Sequence, residues 1–148
     1  MAFRWGSEGR ELSWKCRKLG IAAIGYYGRW QPIVRDCSKM PKAAFGEAWR
    51  KKWPGNTAGR VSLWRFAREM DRGDIIYVKQ GPNIVGRGVV ISDYRYQPGV
   101  MRDPKCRWEH YRRVDWDPTF KPVPLLLGAE LFTVLPLYYG EHEILDSS

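Results

Sequence analysis

The order of apolar and polar positions between residues 62 and 96 predicts a helix followed by a β-hairpin. The apolar face of this helix has i, i+3, i+4, i+7 spacing and consists of Leu63, Phe66, Ala67 and Met70. Ser62 stands at the N-cap position, and Gly73 marks the end of the helix. Residues 75–78 and 84–91 then form two strands joined by a short turn that contains glycine and proline.

The same reading along the rest of the chain predicts an α+β fold. We expect helices over residues 14–19 and 42–52, strands over residues 21–24, 108–116 and 132–137, and a turn or short helix at residues 125–127. Residues 1–14 have no clear periodicity. The hairpin-type returns, without a strand–helix–strand rhythm, favour an antiparallel sheet or small β-barrel flanked by two or three helices.

Length and charge narrow the class of protein. A chain of 148 residues is expected to form one domain, residues 1–148, with a core over about residues 12–137. It carries 25 Lys and Arg against 16 Asp and Glu, a net charge of +9, and it contains eight Trp, eight Tyr and five Phe. A basic, aromatic-rich domain is typical of proteins that bind nucleic acid, although a basic surface without a partner is the alternative.

Cysteine usage and hydropathy favour a cytoplasmic protein. Cys16, Cys37 and Cys106 are odd in number, widely spaced and outside any CxxC motif, so we expect reduced thiols and no zinc site. No apolar run is long enough for a membrane span, and residues 1–14 do not resemble a signal peptide. We expect neither a membrane partner nor a cofactor.

Catalytic motifs are weak, and we expect no enzyme activity. His110 and His142 lie in a predicted strand and in the acidic tail, and no Ser or Cys occupies a nucleophile motif. The three glycines of residues 81–88 lack the order of a phosphate-binding loop and lie within a predicted hairpin. Acidic residues form no nuclease pattern, so catalytic residues and metal ligands are both predicted to be absent.

Aromatic and basic residues alternate in three short clusters next to predicted strands. The clusters are Tyr26, Tyr27, Arg29 and Trp30; Tyr94, Arg95 and Tyr96; and Trp108, Tyr111, Arg112 and Arg113. Aromatic rings stack on unpaired bases, and arginines attract phosphates. Asp93 would accept a hydrogen bond from an exocyclic amine, or would simply cap a strand end. Core packing is the alternative for any single ring, Trp64 included.

The order of the motifs resembles the EVE-like domains of bacterial and archaeal modification-dependent restriction proteins, which belong to the PUA-like superfamily with the YTH domains. The matching stretches fall within residues 14–26, 63–74, 84–96 and 108–116. The resemblance implies a PUA-like barrel that holds a modified base, commonly flipped from DNA, in an aromatic cage. Tyrosines stand where this family often has a tryptophan, at Tyr26 and Tyr27.

The clusters and the resemblance together predict a reader of methylated or hydroxymethylated DNA that serves as the specificity module of a restriction or defence system. The expected base cage comprises Tyr26, Tyr27, Trp30, Trp64, Asp93, Tyr94, Tyr96 and Trp108. The expected phosphate contacts are Arg29, Lys79, Arg87, Arg95, Arg112 and Arg113. The expected partners are double-stranded DNA with a modified base and a nuclease or NTPase effector.

Three alternatives remain at this point. The first is an RNA-binding module of YTH or ASCH type that recognises a modified base. The second is a small nucleic-acid-processing enzyme, since PUA-like folds include a few. The third is a protein-interaction or toxin–antitoxin accessory module whose aromatic residues form a protein interface.

Overall fold

A computed structural model describes residues 2–4, 9–27, 34–80, 82–124 and 134–135 and shows an α+β fold. Its helices are α1 (Gly9–Leu19), α2 (Lys42–Lys52) and α3 (Thr57–Trp64), and α3 continues into a π-helical turn (Arg65–Glu69). Its strands are β1 (Ala2–Arg4), β2 (Ile21–Tyr27), β3 (Ile75–Gln80), β4 (Asn83–Val90), β5 (Arg95–Tyr96), β6 (Cys106–Trp116), β7 (Val123–Pro124) and β8 (Val134–Leu135). The α+β class predicted from the sequence is confirmed.

The strands form one sheet in the order β2–β6–β4–β3–β1–β8, with β5 paired to β6 and β7 paired to β4. Neighbouring strands are antiparallel except β1 and β3, which are parallel. Among the described strands, β2 and β8 are the ends of an open path, and no pairing closes the sheet into a barrel. The contribution of β1 was not predicted, because a three-residue strand is too short to show a period.

The helix predictions are correct in position and partly wrong at their ends. Helix α2 has the predicted bounds, whereas α1 begins at Gly9, five residues before the predicted start. The N-cap of α3 is Asn56, whose side chain accepts a hydrogen bond from the Gly59 N–H at 3.1 Å, so the assignment of this role to Ser62 was wrong. Asn56 is held in place because its carbonyl accepts a hydrogen bond from Trp49 Nε1 at 2.9 Å.

Strand β6 pairs with β2, β4 and β5, and its side chains alternate between core and surface except at Glu109, which is buried. The side of this strand that faces the core carries Trp108, His110, Arg112 and Val114, all buried. On the opposite side, Arg113 and Asp115 are exposed. This face therefore has two polar residues in the core, each of which needs a buried hydrogen-bond partner.

Helix α1 packs one face on the sheet and leaves the other in solvent. Leu12 and Cys16 belong to the core, whereas Trp14 and Lys18 are exposed. Arg17 lies across β4, where its Cδ is 3.4 Å from the position that a Cβ on Gly86 would occupy. The small residue on β4 thus lets α1 approach the sheet, and this approach forms one wall of the groove described next.

Candidate functional site

A groove of about 330 Å³ lies where α1 meets β4 and the segment that follows β6. Its lining combines aromatic, cationic and small apolar residues: Trp14, Arg17, Lys18, Val85, Gly86, Arg87, Trp116, Asp117, Pro118 and Phe120. The volume is at the lower end of the range of ligand pockets, about 300–1,000 Å³. The groove is therefore large enough for a small planar ligand.

Two tryptophans of the groove differ in how firmly they are held. The side chain of Trp14 is 59% exposed, and the Lys18 ammonium lies 5.2 Å from its ring centroid. Trp116 is partly buried, and its Nε1 donates a hydrogen bond to the Ile21 carbonyl at 3.0 Å. The Trp116 ring is thus fixed to the sheet. The Trp14 ring exposes apolar surface to water, and a partner that covered this surface would gain favourable free energy of binding.

The charged groups of the groove give it a positive balance, with three cations against the single carboxylate of Asp117. Arg87 Nη2 pairs with Asp117 Oδ2 at 2.9 Å, and its guanidinium lies 5.5 Å from the ring centroid of Phe120. Hydrogen bonds from Thr119 and then from Arg87 lower the pKa of Asp117, which stays ionised. This pair fixes Arg87 beside the aromatic wall.

Arg17 lines the groove, and its guanidinium is anchored to β4. Its Nη1 donates to the Val85 carbonyl at 3.1 Å, which anchors the guanidinium to β4. Its Nε is buried and has no hydrogen-bond partner in the described part of the chain. A buried N–H of a cation without an acceptor is costly.

The predicted cage residue Tyr94 belongs to a buried polar network. Its hydroxyl lies 2.6 Å from His110 Nδ1 and 3.4 Å from both the backbone N and the Sγ of Cys37. Burial lowers the pKa of His110 to about 4, so its ring is neutral at neutral pH. Burial likewise raises the pKa of Tyr94. This network supplies the buried hydrogen-bond partner that His110 needs on the core-facing side of β6.

The structure corrects the expectation that Tyr94 and Trp108 present open faces to a base. Their exposed fractions are 9% and 6%, and both belong to the hydrophobic core. The ring of Tyr94 stacks on His110 with centroids 5.8 Å apart. Tyr96 is partly buried and donates from its hydroxyl to Glu109 Oε1 at 3.0 Å. Core packing, the alternative for each single ring, applies to these residues.

Trp64 and Asp93 also have local partners. The ring of Trp64 lies 5.2 Å from that of Phe45 and 4.7 Å from the Arg68 guanidinium, which places it between α2 and the π-helical turn. Asp93 is exposed and forms two hydrogen bonds with Arg72, at 3.0 and 3.3 Å. The hydrogen bond from Arg72 lowers the pKa of Asp93. The structure thus brings neither residue to the groove.

The predicted phosphate contacts separate into buried and surface residues. Arg112 is 3% exposed and donates to three backbone carbonyls, so its assignment to the phosphate-binding surface was wrong. Arg87 lines the groove, Arg95 and Arg113 are exposed, and Lys79 is partly buried. Arg29 and Trp30 lie outside the described residues, as do the side chains of Tyr26 and Tyr27.

Sequence reasoning missed most of the groove. The missed aromatic and cationic residues are Trp14, Arg17, Lys18, Trp116 and Phe120. One signal was present in the sequence: Leu12, Cys16 and Leu19 recur at helical spacing, and Trp14 lies off that face. A tryptophan on the polar side of an amphipathic helix is a candidate for a binding surface.

Fold and site together define an α+β domain with a basic, aromatic-lined groove. The chain belongs to the family described as domain of unknown function DUF8426, which matches residues 5–129. Searches of the curated proteins and of the solved structures found no match. Across the described residues, no cluster of His, Cys, Asp or Glu could hold a metal ion. No helix of the described chain is long and apolar enough to span a membrane.

Proposed function

We propose that this domain binds nucleic acid and reads a modified base, and that the groove beside α1 holds an unpaired base. The observation that carries the proposal is the combination of an exposed Trp14, a fixed Trp116 and a basic rim in one concave site. The net charge of +9 supports a polyanionic partner. Two further parts of the proposal rest on the resemblance to EVE-like domains: that the bound base is modified, and that the fold is related to the PUA-like domains.

Stacking in the groove would contribute enough free energy to offset the extrusion of a base from a duplex. Stacking on an aromatic side chain contributes about 1–3 kcal/mol per base, and extruding a base from a duplex costs a few kcal/mol. One ring alone would barely offset extrusion, but Trp14 together with Trp116 or Phe120 would offset it. The positive charge of Arg17, which lines the groove, would attract the phosphate of the bound nucleotide.

A biological role in a modification-dependent restriction or defence system follows from the same resemblance and is proposed on that basis. In this role the domain supplies specificity, and a separate nuclease or NTPase supplies chemistry. We favour DNA over RNA because the resemblance to DNA-reading domains is the more extensive one. Contacts to a 2′-hydroxyl would instead favour an RNA reader of YTH or ASCH type.

Equilibrium binding to a panel of nucleic acids tests the proposal. One labelled duplex is used at fixed salt with no modification, 5-methylcytosine, 5-hydroxymethylcytosine or N6-methyladenine, and an RNA of the same sequence competes. We expect a preference of tenfold or more, about 1.4 kcal/mol, for one modified DNA. Equal affinity across the duplexes would refute the reader, and preferential binding of RNA would replace DNA as the partner.

A further inference from the structure

A second basic surface lies on α2 and at the start of α3, on elements that do not line the groove. Residues 39–60 carry six cations and one carboxylate, which gives this segment a net charge of +5. The net charge of the whole chain is +9. The cations are Lys39, Lys42, Arg50, Lys51, Lys52 and Arg60. All of them are exposed except Arg60, which is partly buried. More than half of the excess positive charge is therefore concentrated on this surface.

Two arginines of this surface converge over a glycine. A Cβ on Gly46 would lie 2.8 Å from Arg50 Nη2 and 3.9 Å from Arg60 Nη1, so both guanidiniums occupy the space above a missing side chain. Arg50 Nε also donates to the Gly46 carbonyl at 3.2 Å. Neither arginine has an ion pair with a carboxylate among the described residues. Two cations this close repel each other unless an anion lies between them.

The positions of the two arginines are fixed by the helices that carry them. Phe45 and Trp49 bury the inner face of α2 in the core. Trp49 Nε1 bonds the Asn56 carbonyl, and Asn56 caps α3, which holds the start of α3 against α2. The convergence of Arg50 and Arg60 thus comes from a packed helix pair rather than from two independent surface side chains.

We infer that Arg50 and Arg60 form a binding site for a backbone phosphate of nucleic acid. A guanidinium matches the geometry of phosphate oxygens, and two of them around one phosphate give charge-assisted hydrogen bonds. The inference rests on the proposed function, since it assigns part of the same nucleic-acid interface. It concerns affinity only, because phosphate contacts carry no base identity.

The decisive experiment compares a double variant, R50A/R60A, with a charge-matched control, K105A/K121A, whose lysines are exposed in loops. Affinity for the unmodified and the best modified duplex is measured from low to high salt. Each lost phosphate contact lowers the slope of log K against log salt by about 1. We expect R50A/R60A to reduce the slope by 1 to 2 and to weaken both duplexes equally. The control should change the slope by less.

A second variant distinguishes loss of the phosphate site from loss of the folded state, because it is expected to stabilise the domain. Gly46→Ala places a methyl group where the Arg50 guanidinium lies, and alanine is a better residue than glycine within a helix. We expect a higher midpoint of thermal unfolding together with binding weakened at least threefold. Wild-type affinity in this variant would contradict the placement of a phosphate over Gly46.

The outcomes separate the inference from the proposed function. If R50A/R60A behaves like the control while the modified duplex is still preferred, the phosphate site is refuted and the reader stands. If the slope falls as expected but all duplexes bind equally, the phosphate site stands and the reader is refuted. If the wild-type domain binds no nucleic acid, both are refuted.

Discussion

Arg112 provides a stringent test of the structural account, because the sequence places it among phosphate contacts and the structure places it in the core. Its Nε donates to the Phe66 carbonyl at 2.8 Å, Nη2 to the Ala67 carbonyl at 3.1 Å, and Nη1 to the Ser92 carbonyl at 3.2 Å. Two of these carbonyls belong to the π-helical turn that ends α3. A helix leaves its last carbonyls unsatisfied, and the buried cation satisfies them while matching the helix dipole.

Replacement of Arg112 by Met keeps much of the side-chain length and removes all three donors. A buried acceptor left without a partner costs about 1–3 kcal/mol, so three of them predict a loss of about 3–9 kcal/mol in the free energy of unfolding. Small domains have about 5–15 kcal/mol in total. We therefore expect the R112M variant to be close to unfolded at room temperature.

Urea unfolding followed by tryptophan fluorescence measures this loss, and the neighbouring residue provides the control. Arg113 is exposed on the other side of β6, and Arg113→Ala should change stability by no more than about 0.5 kcal/mol. If the R112M variant were as stable as R113A and lost only nucleic-acid affinity, the structural role of Arg112 would be refuted.

Three further predictions concern the core. Burial lowers the pKa of His110 to about 4, below its ordinary 6.5, so on acidification the unfolded state binds a proton before the folded state does. The free energy of unfolding should therefore be constant above about pH 6.5 and fall by about 3 kcal/mol toward pH 4. Urea unfolding at a series of pH values should show this decrease, and a His110→Asn variant should not. Gly25→Ala should lower the free energy of unfolding by several kcal/mol and clearly lower the thermal midpoint, because the new Cβ would lie 2.2 Å from a backbone carbonyl of β6. Gly99 also has a positive φ but has open space around it, so Gly99→Ala should lower the free energy of unfolding by only about 1 kcal/mol. The three buried cysteines, whose pKa values burial raises, should react with a thiol reagent only after denaturant is added; rapid labelling of the native protein would contradict their burial.

The fold was predictable where the sequence has a strong period. The apolar spacing of residues 63–70 and the buried strand at the start of β2 lie where the sequence placed them. The parallel pairing of β1 with β3 was not predictable, because it depends on contacts between segments more than 70 residues apart. The capping role of Asn56 depends in the same way on its tertiary contact with Trp49.

The candidate site was harder to predict, because aromatic and basic residues are common to cores and to binding surfaces. Tyr94 and Arg112 are residue types typical of a nucleic-acid interface. In the structure, however, the core-facing side of β6 carries Arg112 and also His110, the buried partner of Tyr94. Trp14 is the opposite case, because no pattern in the sequence assigned it to a site. In the structure it is the most exposed large aromatic side chain among the described residues. Only the packing of α1 on β4 brings it to Arg87 and Trp116.

The measurement that most directly tests the groove as the base-binding site compares Trp14→Ala with Ile91→Ala. Both side chains are exposed and apolar, at 59% and 47%, but only Trp14 lines the groove. Loss of one stacking ring should weaken binding to the preferred modified duplex about tenfold, with a smaller effect on the unmodified duplex, while I91A keeps wild-type affinity. Equal affinities of W14A, I91A and the wild-type domain for the modified duplex would contradict the assignment of the base to this groove.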